Sequence, residues 1–279
     1  SRGLGDVYKR QLNTVQKISL NQLMENCMSE AVLDFEFFGA NNEHPTLVCA
    51  ALANKTYWLL DNSDTQEFIE DLQKNKKLIV YYGVAESRCL LALACNPLEF
   101  EWVDLYAEFK MLQNSNHQYL YGAYIDDAGL KKFSEPPKFG NYVNQIDDED
   151  DDEELLKHSK VPSNLINAVF KTTQQILSSS QKNKMREIII SGEIENIKNH
   201  KQEIMNYCLS DVSFLYAVRN KIYSEYYRLG LRNFDESILN RGLYSACIGI
   251  CEQIGLPINK QLLNKIILKT PEIIKDSRD

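Results

Sequence analysis

The sequence lacks any run approaching the roughly 18 consecutive apolar residues of a membrane span, and its first residues hold no apolar signal-peptide core. Those absences exclude an integral helical membrane protein and predict a soluble, cytoplasmic one. Paired Cys-x-x-Cys spacing is missing too: Cys27, Cys49, Cys89, Cys95, Cys208, Cys247 and Cys251 are scattered, mostly among apolar neighbours. They are expected to be reduced core residues. Histidine is scarce, and His44, His117, His158 and His200 are far apart, so nothing favours a Cys/His zinc site even though Cys247 and Cys251 stand one helical turn apart. No internal repeat is present. An initiator Met is also absent: the opening SRGLGDVYKRQ resembles a translated library remnant and is set outside the fold as a non-native leader, residues 1–11.

What the chain has is length and apolar content. With 279 residues, 44% of them apolar, it can bury a sizeable core in one or two domains. Its formal charge of −8 argues against a nucleic-acid partner until DDEDDDEE, residues 147–154, is set aside, because those eight acids account for the whole excess. The rest is neutral, which leaves room for a local basic face. The surrounding segment, about residues 131–160, is poor in apolar residues and is expected to be a solvated, disordered insertion.

Strand-like patterns open the ordered part. AVLDFEFF from residue 31, PTLVCAALA and KTYWLL follow one another across turn-rich breaks and predict an antiparallel meander. DTQEFIEDLQKN predicts a helix with Asp64 or Ser63 as N-cap and Phe68, Ile69 and Leu72 on its inner face. KLIVYY, AESRCLLALA and FEWVDLY then predict strand, helix and strand, followed by a helix carrying Phe109 and Leu112. A meander followed by crossover units makes the class α/β, with a mixed sheet flanked by helices. Beyond the insertion the chain reads as helical to its end, with breaks near residue 192 and at Gly255 and Pro257.

The chemistry is carried by acids. In VLDFEFF the period of two puts Asp34 and Glu36 on one face of an apolar strand, where uncompensated burial would cost several kcal/mol. Either the strand is an edge facing water, or the acids face a cation or an open cleft. Glu86 begins the helix after a buried strand, beside Gly83, and the helix dipole alone would account for it. In NYCLSDV, Tyr207 and Asp211 are four apart and project from one helical face. Together, four carboxylates and a phenol suit hard divalent cations, which prefer oxygen ligands.

This constellation resembles the three exonuclease motifs of the proofreading domain of family A DNA polymerases, in the subclass whose third motif carries tyrosine. Asp34 and Glu36 match its Asp-x-Glu motif; Tyr207 and Asp211 match Tyr-x-x-x-Asp. The second motif departs, offering Glu86 with Leu90 where the family usually has Asp. Similarity to a phage-like branch extends through VYYGVAESRCLLAL, WVDLYAEFKML, KMREIIISG and RGLYSACIGICEQIGLPIN, with Asn259 replacing an acid of the final turn.

The resemblance implies a ribonuclease H-like five-stranded mixed sheet with a helical C-terminal extension. It divides the chain into an exonuclease domain at 12–230 and a helical linker with the start of a thumb at 231–279, with any polymerase region lying beyond. It also implies removal of nucleotides from single-stranded DNA 3′ ends with two divalent ions, Mg²⁺ or Mn²⁺, by a monomer in a bacterial or phage-infected cell. Asp34 would bridge both ions, Glu36 and Asp211 would bind one, Glu86 would hold the second, and Tyr207 would position the water. Lys182, Lys184 and Arg186 are candidate strand contacts, though an exposed basic helix face is ordinary. An RNA-trimming exonuclease, a weak module that binds single strands or braces a polymerase, and a helical interaction protein remain as alternatives.

Overall fold

The structure, a computed structural model, describes residues 30–39, 44–121, 123–126, 129–131, 161–177, 179–255 and 259–276. The acidic run falls outside the described residues, as do the proposed leader and nearly all of the proposed insertion. Three antiparallel strands open the fold: β1 (Glu30–Phe38), β2 (Thr46–Leu52) and β3 (Lys55–Trp58). The β2–β3 turn bends at Ala53, whose φ of 56° places it in the left-handed region. Helix α1 (Thr65–Leu72) crosses over and buries Phe68 and Leu72. Asp64 does precede it, but its Oδ2 accepts from the Trp58 backbone N–H at 2.7 Å and bonds to no helix N–H.

Two crossover units follow. β4 (Lys77–Val80) runs parallel to β1, α2 (Gly83–Ala92) leads away, and β5 (Glu101–Asp104) pairs parallel to β4 before α3 (Leu105–Ser115). The resulting five-stranded mixed sheet has the order β3-β2-β1-β4-β5. Asp104 ties its edge together: Oδ1 accepts from the N–H groups of Tyr106 and Ala107 at the start of α3, and Oδ2 accepts from that of Gly83 at 3.2 Å.

Past α3 come α4 (His117–Leu120) and a small hairpin, β6 (Tyr124–Asp126) with β7 (Gly129–Lys131), which the sequence pattern did not suggest. Its three-residue strands are too short to show alternation, and the hairpin is fastened by Asn167, which bonds both the N–H and the C=O of Ile125. The helical half comprises α5 (Leu165–Thr173), α6 (Ser179–Ile190), α7 (Ile194–Asn199), α8 (Lys201–Ser213), α9 (Leu215–Arg228), α10 (Phe234–Ile254) and α11 (Lys260–Asp276). The stretch 196–227 reads as one continuous helical pattern, yet the chain breaks at His200 and Phe214, which lets α8 lie on the sheet while α9 packs on α3 and α5.

Each sheet face has its own core. Ala31, Leu33 and Phe35 point with Leu78, Val80 and Trp102 toward α1, α2 and α10. Val32 joins Cys49, Ile79 and Val103 on the other face, under α3, α8 and α9. The approach of α10 is unusually close. A Cβ on Gly242 would lie 2.1 Å from the Trp102 carbonyl oxygen, and one on Gly249 2.1 Å from Ser87 Oγ, so only glycine permits this contact. Of the cysteines, Cys49, Cys89 and Cys208 are buried as expected, whereas Cys95 and Cys247 are half-buried and Cys251 is exposed on the outer face of α10.

Candidate functional site: an acidic cluster between β1, α2 and α8

Asp34 and Glu36 follow Val32 on the α8 side of β1. The parallel pairing of β1 with β4 covers only Glu30 to Val32, so both acids lie beyond its last rung, where β4 has ended and its chain turns into α2. Glu86, in the first turn of α2, fills that space and accepts the backbone N–H of Phe35. Its side chain is buried, and Oε2 has no hydrogen-bond partner.

Helix α8 closes the cluster from the other side. Ile204, Cys208 and Val212 form its buried stripe, and Asp211 lies within that stripe at 6% exposure. The helix docks through Cys208, whose Sγ lies 3.6 Å from both the backbone oxygen and Oδ2 of Asp34. Asp211 Oδ2 pairs with Lys182 Nζ of α6 at 2.7 Å, while Oδ1 has no partner. The same ammonium stands over the Tyr207 ring, 5.6 Å from its centroid. All five of the predicted catalytic residues, Asp34, Glu36, Glu86, Tyr207 and Asp211, therefore meet in one electrostatically connected cluster.

Four carboxylates facing one ammonium cannot all ionise cheaply. Burial first, and the Asp211 charge second, raise the Asp34 carboxyl to about 7 despite Lys182. Burial followed by the Asp34 charge pushes Glu36 and Glu86 well above the usual carboxylate range. Burial raises Asp211 too, against the pull of Lys182. Tyr207 is driven upward by burial and then by Glu36, Asp211 and Asp34, so its phenol stays protonated. A bound cation would reverse every one of these shifts, and the two orphaned buried oxygens are the kind of group a cation would satisfy.

The basic candidates separate. Lys182, expected as a strand contact, is instead largely enclosed and engaged with Asp211. Lys184 lies 3.6 Å from Glu203 on the surface. Arg186 lines an open groove of about 850 Å³ together with Phe35, Phe37, Phe38, His44, Ile189 and Ile190, and this groove shares Glu36 and Tyr207 with the cluster.

Cys208 is the residue the sequence reading missed. Ligand atoms of Asp34, Glu36 and Cys208 all lie within 4.8 Å of one another, a group that could hold a metal ion. The available signal was its position three residues before Asp211, on the same helical face. No protein-family model matches the chain, and no curated protein matches its sequence.

Proposed function

We propose that the chain is a metal-dependent 3′–5′ exonuclease acting on DNA 3′ ends, the proofreading type of module found beside a polymerase. One observation carries this reading: acids 177 residues apart in sequence, Asp34 to Asp211 with Glu86 between, converge on one partly open cluster in which two buried carboxylate oxygens have no partner. A structural role does not need that arrangement, because each uncompensated buried charge costs several kcal/mol. The sheet order β3-β2-β1-β4-β5, antiparallel then parallel, is compatible with a ribonuclease H-like fold, which supports the same reading.

Asp34, Glu36 and Asp211 would hold the ions, with Glu86 as a further carboxylate. Bound divalent ions would supply Lewis acidity, generating hydroxide near neutral pH and stabilising the oxygens that enter and leave phosphorus. The residues do the rest. Tyr207, protonated at the mouth of the cluster, holds a water or phosphate oxygen by its hydroxyl and does not serve as a base. Phe37, Phe38 and His44 offer the groove surfaces on which unstacked bases can rest, and Arg186 offers a phosphate contact. Lys182 neutralises Asp211 while no metal is bound.

The test is degradation of a 5′-labelled single-stranded DNA by the purified chain with Mg²⁺ or Mn²⁺. A ladder shortening from the 3′ end, abolished by chelator and by Asp211→Ala, is expected. Cleavage that survives in Asp211→Ala would remove this cluster as its source. A folded chain that binds the strand without cutting it would instead favour the bracing module, with Glu86→Asp the substitution to restore activity.

A further inference from the structure

The hydrolytic reading uses only oxygen ligands, yet a thiol sits in the middle of them. We propose that the cluster is also a site for a thiolate-accepting transition metal of the zinc class, bound by Asp34, Glu36 and Cys208. The proposal shares two carboxylates with the nuclease reading but none of its chemistry.

The geometry is that of a ligand set. Cys208 Sγ is 3.6 Å from Asp34 Oδ2, and the three donor atoms lie within 4.8 Å of one another, close to the span that metal bonds of about 2.0 to 2.3 Å allow. An independent observation points to a missing cation. Glu86 Oε2 and Asp211 Oδ1 are unpartnered, both residues are more than nine-tenths buried, and both act electrostatically on Asp34 or are acted on by it.

The sulfur donor sets the class of metal. Cys49 stands directly opposite Glu36 across the β1–β2 pair, on the same sheet face, and burial first, then Cys49, hold the Cys208 thiol well above its ordinary range, so that a metal must displace its proton. Hard ions gain little from a thiolate, whereas zinc-class ions gain much, so Cys208 biases the site toward the softer metal. Binding forms the sulfur–metal bond and releases the Cys208 proton to solvent; no electrons are transferred. Because Asp34 and Glu36 are shared, such an ion displaces Mg²⁺ from them.

Titration of the whole chain with Co²⁺, whose thiolate complexes absorb by charge transfer, tests this. One saturable equivalent with a thiolate-to-metal band, reversed by Zn²⁺, is expected. Replacing Cys27, Cys95, Cys247 and Cys251 by Ser should leave the band in place, while Cys208→Ser and Cys208→Ala should each abolish it, with circular dichroism establishing that the variants fold. Asp34→Asn, with every thiol intact, should weaken Co²⁺ binding about tenfold or more. A band that persists without Cys208, Co²⁺ bound with no band, or no Co²⁺ bound at all would each overturn the proposal. Mg²⁺-dependent cleavage without the band sinks this inference alone; the band without cleavage sinks the nuclease reading alone.

Discussion

A buried acid and a cluster of buried and half-buried acids in this molecule are built on opposite principles. Glu108, on α3, is fully buried and fully satisfied: Arg241 donates to Oε1 and Oε2 at 2.6 Å each, and the Tyr226 hydroxyl donates to Oε2 at 2.8 Å. It joins α3, α9 and α10 with matched charge. Among the described residues, Asp34, Glu36, Glu86 and Asp211 have one lysine between them and leave two buried oxygens unpaired. The same chain thus solves the burial of a carboxylate completely in one place and leaves it unsolved in another. Incomplete compensation persists where a ligand supplies the remainder, and that contrast separates a brace from a site.

Mutation of Glu108 and of Asp34 should have opposite consequences. Glu108→Gln leaves the Arg241 guanidinium without its carboxylate and should cost on the order of 3 kcal/mol in denaturant unfolding. Asp34→Asn removes one of several mutually repelling charges and should leave the metal-free chain as stable or more so, while lowering metal-dependent cleavage about a hundredfold or more. Equal destabilisation by both would erase the distinction.

Lys182→Met tests the ion pair of the cluster. Asp211 then loses its only ion-pair partner among the described residues, so the chain in chelator should lose about 1–3 kcal/mol, and saturating Mn²⁺ should restore most of it. An identical loss with and without metal would mean that Lys182 and a cation do not serve the same carboxylate.

The titration of Asp34 fixes the sign of a pH effect. Its folded value, about 7, lies above the ordinary 3.8, so between those values the folded state binds more protons than the unfolded one. Stability from this group is therefore complete below about pH 4 and falls as pH rises toward 7. Bound metal keeps Asp34 ionised and should flatten that slope, which unfolding curves with and without Mn²⁺ would reveal. The smallest effect belongs to Tyr207→Phe: slower cleavage with metal binding retained, since the ring and its burial remain.

Sequence alone carried much of this. The alternation in β1 put Asp34 and Glu36 on one face, the four-residue spacing put Tyr207 with Asp211, and the order of strands and helices through Ser115 follows the apolar pattern. What stayed hidden depends on docking across long separations. Cys208 meets Asp34 only because α8 lies on β1, and Lys182 meets Asp211 only because α6 packs beside α8. Spacing places Cys208 beside Asp211 on one helical face but specifies neither contact. Glu108, Arg241 and Tyr226 come from three helices, so their pairing was equally invisible.

Whether a cation completes the acidic cluster is measured most directly by an equilibrium titration of the metal-free chain with Mn²⁺, following free ion by electron paramagnetic resonance. Saturable loss of the free-ion signal, absent in Asp34→Asn and in Asp211→Asn, is the predicted result. An undiminished signal from the folded chain would contradict the account and make the unpaired carboxylates a defect of packing, not a site.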